Sequence, residues 1–267
     1  VISRQLLVLA LVAALLPACS APGPREGGAA EVARAPEAAA QPGTPFERAR
    51  AHTELGASYL QIGRLGVALQ ELEEAIKADP GYVPAHTTLG LVQMQLREDA
   101  KAKASFERAL KLDPKNPDAN NNYGLFLCDR KREREGVRYF LAALRNPLYE
   151  TPEDAYVNAG ICSQRVGEDA AAQDFFERAL QVRPEESRAL INLASLQLDR
   201  GQPAAARSYM NRFVKVNPAP DAASLWLAAR IEHALGDRAG LASYGAQLRT
   251  RFPEARETSL YNEGRFK

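Results

Sequence analysis

Leu55-Gly56-Ala57-Ser58-Tyr59, with Ala68, Leu72, Ala75 and Asp79-Pro80 behind it, decides the fold, because it comes round again. Leu89-Gly90, Ala102, Phe106, Ala109 and Asp113-Pro114 stand 34 residues further on, place for place. A third copy carries Tyr123-Gly124, Phe140 and Ala143, with Gly136 where the others have their first Ala. A fourth has Ala159-Gly160, Ala172, Phe176, Ala179 and Pro184, and a fifth has Leu193-Ala194, Ala206, Met210, Phe213 and Pro218. A sixth, decayed copy runs from about Asp221 to Pro253. Self-similarity at a fixed period of this size signals stacked supersecondary units.

Each position has a physical reason. Gly or Ala at position 8 lets the first helix of a unit lie close to the second, where a larger side chain would hold the backbones apart. The Ala at positions 20 and 27 permit the same on the second helix, and the large residue at position 24 fills the gap between successive units. The closing Pro stops the second helix, because it lacks an N–H and disfavours helix before it. One such pair cannot bury its own apolar face, so the units must stack. The pattern resembles the tetratricopeptide repeat. That resemblance predicts an all-α, right-handed superhelix of about six helix-turn-helix units with a concave groove. The repeats are placed at about 49–82, 83–116, 117–152, 153–186, 187–221 and 222–255, inside a domain spanning 45–267.

Composition fits this and excludes other classes. The chain is 46% apolar and only 7% aromatic, with Ala and Leu abundant, which suits helices better than sheets. Lys+Arg number 34 against 33 Asp+Glu, interspersed along the chain, so no basic field is offered to nucleic acid. Phosphate loops, nucleophile elbows and dinucleotide fingerprints are absent. His52 and His86 occupy position 4 of their repeats, a packing place, and neither has a Cys or second His at ligand spacing. Glu71, Glu73 and Glu74 read as solvated helix faces. No enzyme, cofactor or small-molecule substrate is expected.

The first residues are of another material. Leu6 to Leu16 is an unbroken apolar run, too short to span a bilayer and the right length for the core of an export signal. It ends in Leu16-Pro17-Ala18-Cys19, followed by Ser20, which resembles a bacterial lipobox, although Pro17 is unusual at its place. The resemblance implies cleavage after residue 18 and lipidation of Cys19, with Ser20 favouring sorting to the outer membrane. An ordinary signal peptide with an incidental Cys is the other reading. Residues 19–44 are rich in Ala, Pro, Gly and Glu and read as a tether reaching about 25–30 Å.

Lipidation would leave Cys128 and Cys162 of the chain's three cysteines. They fall at position 12 of one first helix and position 10 of the next, roughly 200° apart around a helix and about 3 Å apart in height. A disulfide between neighbouring helices is one expectation, and two buried small apolar residues the other.

The concave groove is expected from positions 2, 5, 9, 12 and 13 of the first helices. These give Thr53, Ala57, Leu60, Thr87, Leu91 and Met94 in the first two repeats. Leu125, Asp129, Val157, Ile161, Arg165, Ile191 and Leu198 follow in the next three. Asn122, Asn158 and Asn192 share position 6 and either offer amides to a peptide backbone or are generic to the repeat. The mixture is apolar for a surface and suits an apolar partner segment. The lysines of carboxylate-clamp repeats are missing, so capture of a free C-terminus is not expected.

The third and fourth repeats go beyond the generic pattern. Asn121-Asn122-Tyr123-Gly124, Phe126-Leu127-Cys128, Asn146-Pro147-Leu148-Tyr149-Glu150-Thr151-Pro152-Glu153 and Asn158-Ala159-Gly160-Ile161-Cys162 occur together. With the later Ser243-Tyr244-Gly245 and Phe252-Pro253, they resemble the PilF/PilW family of type IV pilus biogenesis lipoproteins. The resemblance implies an outer-membrane pilotin that binds the pilus secretin and promotes its localisation and assembly. A lipoprotein scaffold for peptidoglycan or other envelope enzymes would share the anchor and the fold.

Overall fold

The computed structural model describes residues 43–266, which form thirteen α-helices and, among those residues, no strand. They are α1 Pro45–Gln61, α2 Leu65–Ala78, α3 Val83–Gln95, α4 Asp99–Leu112, α5 Pro117–Asp129, α6 Glu133–Ala143 and α7 Pro152–Arg165. Next come α8 Asp169–Val182, α9 Ser187–Asp199, α10 Pro203–Val216, α11 Ala222–Leu235, α12 Arg238–Arg251 and α13 Arg256–Asn262. The first twelve pair in sequence, one pair to each copy of the repeat. The export signal and Cys19 lie outside the described residues. The end of the stretch read as tether is tied to the array: Thr44 caps α1 through a reciprocal capping box with Glu47, and Arg48 donates to the carbonyl of Gly43.

The local sequence fixes where each helix starts and stops. Proline stands first in α1, α5, α7 and α10 and second in α3, within the first turn, where a missing N–H costs nothing. Gly63, Gly167 and Gly201 turn one helix into its partner with positive φ, and Arg97 and Lys131 adopt the same left-handed geometry in the second and third repeats. Asp79 and Asp113 go extended before Pro80 and Pro114. The next helix then captures the proline carbonyl from position 4. His86 Nε2 lies 3.0 Å from the Pro80 carbonyl, and Asn120 Nδ2 donates to that of Pro114, also at 3.0 Å. Position 4 is therefore a hydrogen-bonding place as well as a packing one.

Position 8 is as tight as the pattern implies. A methyl on Gly160 would stand 2.5 Å from Phe176 Cε1, and one on Gly90 would stand 2.6 Å from Phe106 Cε1. Phe106, Phe140 and Phe176 are fully buried. The position-24 ring thus lies first against the glycine of its own unit, and Phe106 also meets Tyr123 and Phe126 of the next.

First helices touch first helices along the stack, α1–α3–α5–α7–α9–α11, whereas no two of α2, α4, α6, α8, α10 and α12 approach each other. The odd helices form the inner, more closely spaced layer, and the array curves towards them. In the middle the connection is longer, at residues 144–151. It folds Tyr149 into the core formed by Cys128, Phe140, Ala143, Ala155, Ala159 and Cys162, and leaves Leu148 exposed. Cys128 and Cys162 are joined as a disulfide between α5 and α7, with Cα atoms 5.9 Å apart. After the sixth pair, α13 packs on α11 and α12, where a seventh first helix would lie.

Candidate partner-binding face

The inner layer is the surface most of the predicted groove residues share, and it is not uniform. In α1 and α3, Ala57, Leu60, Leu91 and Met94 are half-buried. Leu60 rests on the core of Ala68, Leu72, Leu89 and Val92, while Leu91 and Met94 rest on Phe106, Tyr123, Phe126 and Leu127. Each leaves part of an apolar side chain at the surface. Thr53 and Thr87 do not. Both are buried and turn their hydroxyls onto their own helices, to the Ala49 carbonyl at 2.7 Å and the Val83 carbonyl at 3.1 Å. The β-branched hydroxyl in a helix finds the carbonyl one turn back, which takes it out of the groove. A shallow cleft of about 220 Å³ opens between Pro84, Thr87 and Thr88 on one side and Asn116, Asp118 and Asn122 on the other.

From α5 onwards polar groups are tied to one another. The asparagines of position 6 divide. Asn158 is buried, donating to Asn121 Oδ1 at 3.1 Å and accepting from Arg188 Nη2 at 2.6 Å, so it is not free for a partner. Asn192 donates to the carbonyl of Arg188 in its own helix at 2.7 Å. Asn122 remains half-buried at the cleft, accepting from Asn121 at 3.4 Å. Val157 is fully buried and is a core residue, against Phe176 and Leu193. Leu125, Ile161, Ile191 and Leu198 are half-buried. Exposed Arg165 pairs with Asp129 at 3.1 Å and reaches the Cys128 carbonyl at 3.4 Å. Arg188 also faces Asp154 at 3.4 Å, whose carboxyl is pushed up by burial and pulled back by that guanidinium.

Arg188, at position 2 of the fifth repeat, joins three helices of the inner layer through Asn158 and Asn121. Its register could have marked it, since position 2 was expected at the groove, but a lone arginine gives no sign of the amides it will meet. Glu71, read as a solvated carboxylate, is half-buried and lies 2.7 Å from His52 Nδ1. Among the described residues no group of three His, Cys, Asp or Glu could hold a metal, and no helix is long and apolar enough to cross a membrane.

Two stretches, residues 59–121 and 167–231, match the tetratricopeptide-repeat family. The type IV pilus assembly protein PilF of Pseudomonas aeruginosa is 31% identical over 207 residues, covering 78% of this chain and 82% of that protein. The crystal structure of PilW, described as a widely conserved type IV pilus biogenesis factor, superposes with a TM-score of 0.73 at 32% identity, over 79% of this chain and 96% of that one. A structure of Pseudomonas aeruginosa PilF gives 0.76 at 29% identity, over 83% and 99%.

Proposed function

Because this chain belongs to the PilF/PilW family of type IV pilus assembly proteins, we propose that it is a pilotin, which binds the pilus secretin and promotes its localisation and multimerisation at the outer membrane. The family is non-enzymatic, and its members act in pilus assembly through contacts between proteins. The reading includes the anchor: residues 1–18 as the export signal, Cys19 as the lipidated residue at the periplasmic face, and residues 19–44 as the tether. Several acyl chains on one cysteine would hold the protein there stably.

One observation carries the choice of surface. Leu60, Leu91 and Met94 are half-exposed on adjacent first helices, while further along the layer Asn158, Arg165 and Arg188 are already engaged. An apolar segment of the secretin gains most over the first three helices, where it removes apolar surface from water without breaking existing hydrogen bonds.

A photo-crosslinking residue at Leu91, activated in cells and followed by identification of the adduct, tests this. Secretin adducts that disappear when Leu60→Asp is added support the reading, since a desolvated charge in an apolar contact is costly. Adducts only with peptidoglycan enzymes would replace it with the scaffold function. Unchanged secretin binding by Leu91→Asp and Ile161→Asp variants would move the interface off this face.

A further inference from the structure

The far end of the inner layer is already occupied. Trp226, Arg230 and His233 hold on α11 the places that Thr53, Ala57 and Leu60 hold on α1, and Thr87, Leu91 and Met94 hold on α3. After α13 the chain reverses at Gly264, with φ +69, and brings Phe266 onto them. The Phe266 ring stacks on His233 with centroids 4.3 Å apart, and on Trp226 at 5.4 Å, while Tyr261 meets it edge-on at 5.7 Å. Arg230 Nε donates to the Phe266 carbonyl at 3.4 Å, and the same guanidinium lies 3.6 Å from Asp199 on α9.

We propose that Trp226, Arg230 and His233 form a binding station for an aromatic residue of a peptide, filled by the chain's own Phe266 until a partner's Phe or Tyr displaces it. The chemistry of recognition is visible in the present occupant. Two flat rings receive a third, and a cation fixes the carbonyl of the residue that bears it, so side chain and backbone are both read. The rest of the segment is weakly held. Residues 262–265 are exposed, and the ties of Arg265 run to Leu260 and Glu263, within the turn itself. Such a segment opens at little cost compared with the helices beneath it. A competitor in cis lowers apparent affinity by the fraction of time the station is empty, and its removal restores it.

This proposal rests on the inner layer being the partner surface, but its test needs no secretin. Trp226 is the only tryptophan, so its fluorescence reports the station directly. In the full chain, Phe266→Ala should shift Trp226 emission to longer wavelength with unchanged far-ultraviolet circular dichroism. Titrating the peptide of residues 260–267 should then restore the original spectrum saturably below about 1 mM. Binding should be about tenfold tighter than to the unaltered chain, whose station is occupied. The same peptide with Ala for its Phe should not bind, and Phe266→Ala/Arg230→Gln, which keeps the aromatic slot, should bind several-fold more weakly. Unchanged Trp226 emission in Phe266→Ala, no recovery by the peptide, or equal affinity for both chains would overturn the proposal and leave the pilotin reading standing.

Discussion

Adding one methyl at Gly160 should destabilise the array, although glycine is a poor helix residue. The new carbon would lie 2.5 Å from Phe176 Cε1 and 2.7 Å from Cδ1, about 1 Å inside the optimal separation of carbon atoms. Phe176 is fully buried beneath Val157, Ala172 and Leu193 and has no room to swing away. Overpacking of this kind costs about 1–3 kcal/mol, and the gain in helix propensity on replacing Gly with Ala returns about 0.5–1. The net loss is about 0.5–2 kcal/mol, or roughly 1–8 °C in Tm for a chain this size. The fifth repeat supplies the control, because there Ala194 stands opposite Met210, a thinner and more pliable side chain. Phe176→Met in the Gly160→Ala background should therefore recover part of the loss. Thermal melts of the two single variants, the double variant and the unaltered chain close a cycle whose coupling should reach about 1 kcal/mol. A Gly160→Ala variant as stable as the unaltered chain, or two strictly additive substitutions, would refute the account of position 8.

Other consequences can be measured separately. Reducing the Cys128–Cys162 bond, or replacing both residues with Ala, should cost roughly 3–4 kcal/mol in the chain-entropy model, seen as a lower urea midpoint under reducing conditions. Burial raises the Tyr149 hydroxyl to about 12, above the usual phenol value of about 10. The folded state thus favours the neutral phenol, and the stability it contributes is present below about pH 10 and lost as pH rises towards 12; a Tyr149→Phe variant should lack that part of the alkaline decline. Lys131→Gly should stabilise by about 0.5–1 kcal/mol, since the residue holds φ at 60 where glycine carries no penalty, and an unchanged melting curve would contradict this. Cys19→Ser should remove the protein from the outer-membrane fraction, and continued fractionation there would end the lipid reading.

The helical pairs were legible because their signal is periodic and redundant. Position 8, position 24 and the closing proline repeat together, and a helix pair satisfies all three at once. Isolated exceptions were harder to read. Gly136 looks like a decayed alanine, yet a methyl there would sit 2.6 Å from the Gly124 carbonyl, so the third unit closes backbone to backbone. Thr53, Thr87 and Asn158 were placed on the groove by position alone, and spacing cannot tell whether a short polar side chain faces solvent or bonds its own helix or a neighbour. Cys128 and Cys162 could be set on adjoining helices from their positions, because the inserted residues shift one of them by half a turn relative to the other. The station on α11 was hidden by distance: Phe266 meets Trp226 only after two helices and a turn, and no local periodicity announces such a contact.

The placement of these features along the inner layer bears on how a partner is held. Half-exposed leucines and a methionine mark α1 and α3, the aromatic station marks α11, and the intervening helices are joined by the disulfide and by Asn121, Asn158 and Arg188. A stack of repeats is held only by nearest-neighbour contacts, so each joint between units helps set how its two ends are disposed. The disulfide and the buried amide chain both bridge α5 and α7, where the longer connection at residues 144–151 interrupts the regular spacing. They fix the distance between the two ends of the layer at that joint. A partner segment that engages both ends then meets a preorganised span and loses less affinity to ordering the array. Reduction should accordingly weaken a long partner segment more than a short one covering α1 and α3 alone; equal weakening of both would mean that the middle contributes to stability and not to recognition.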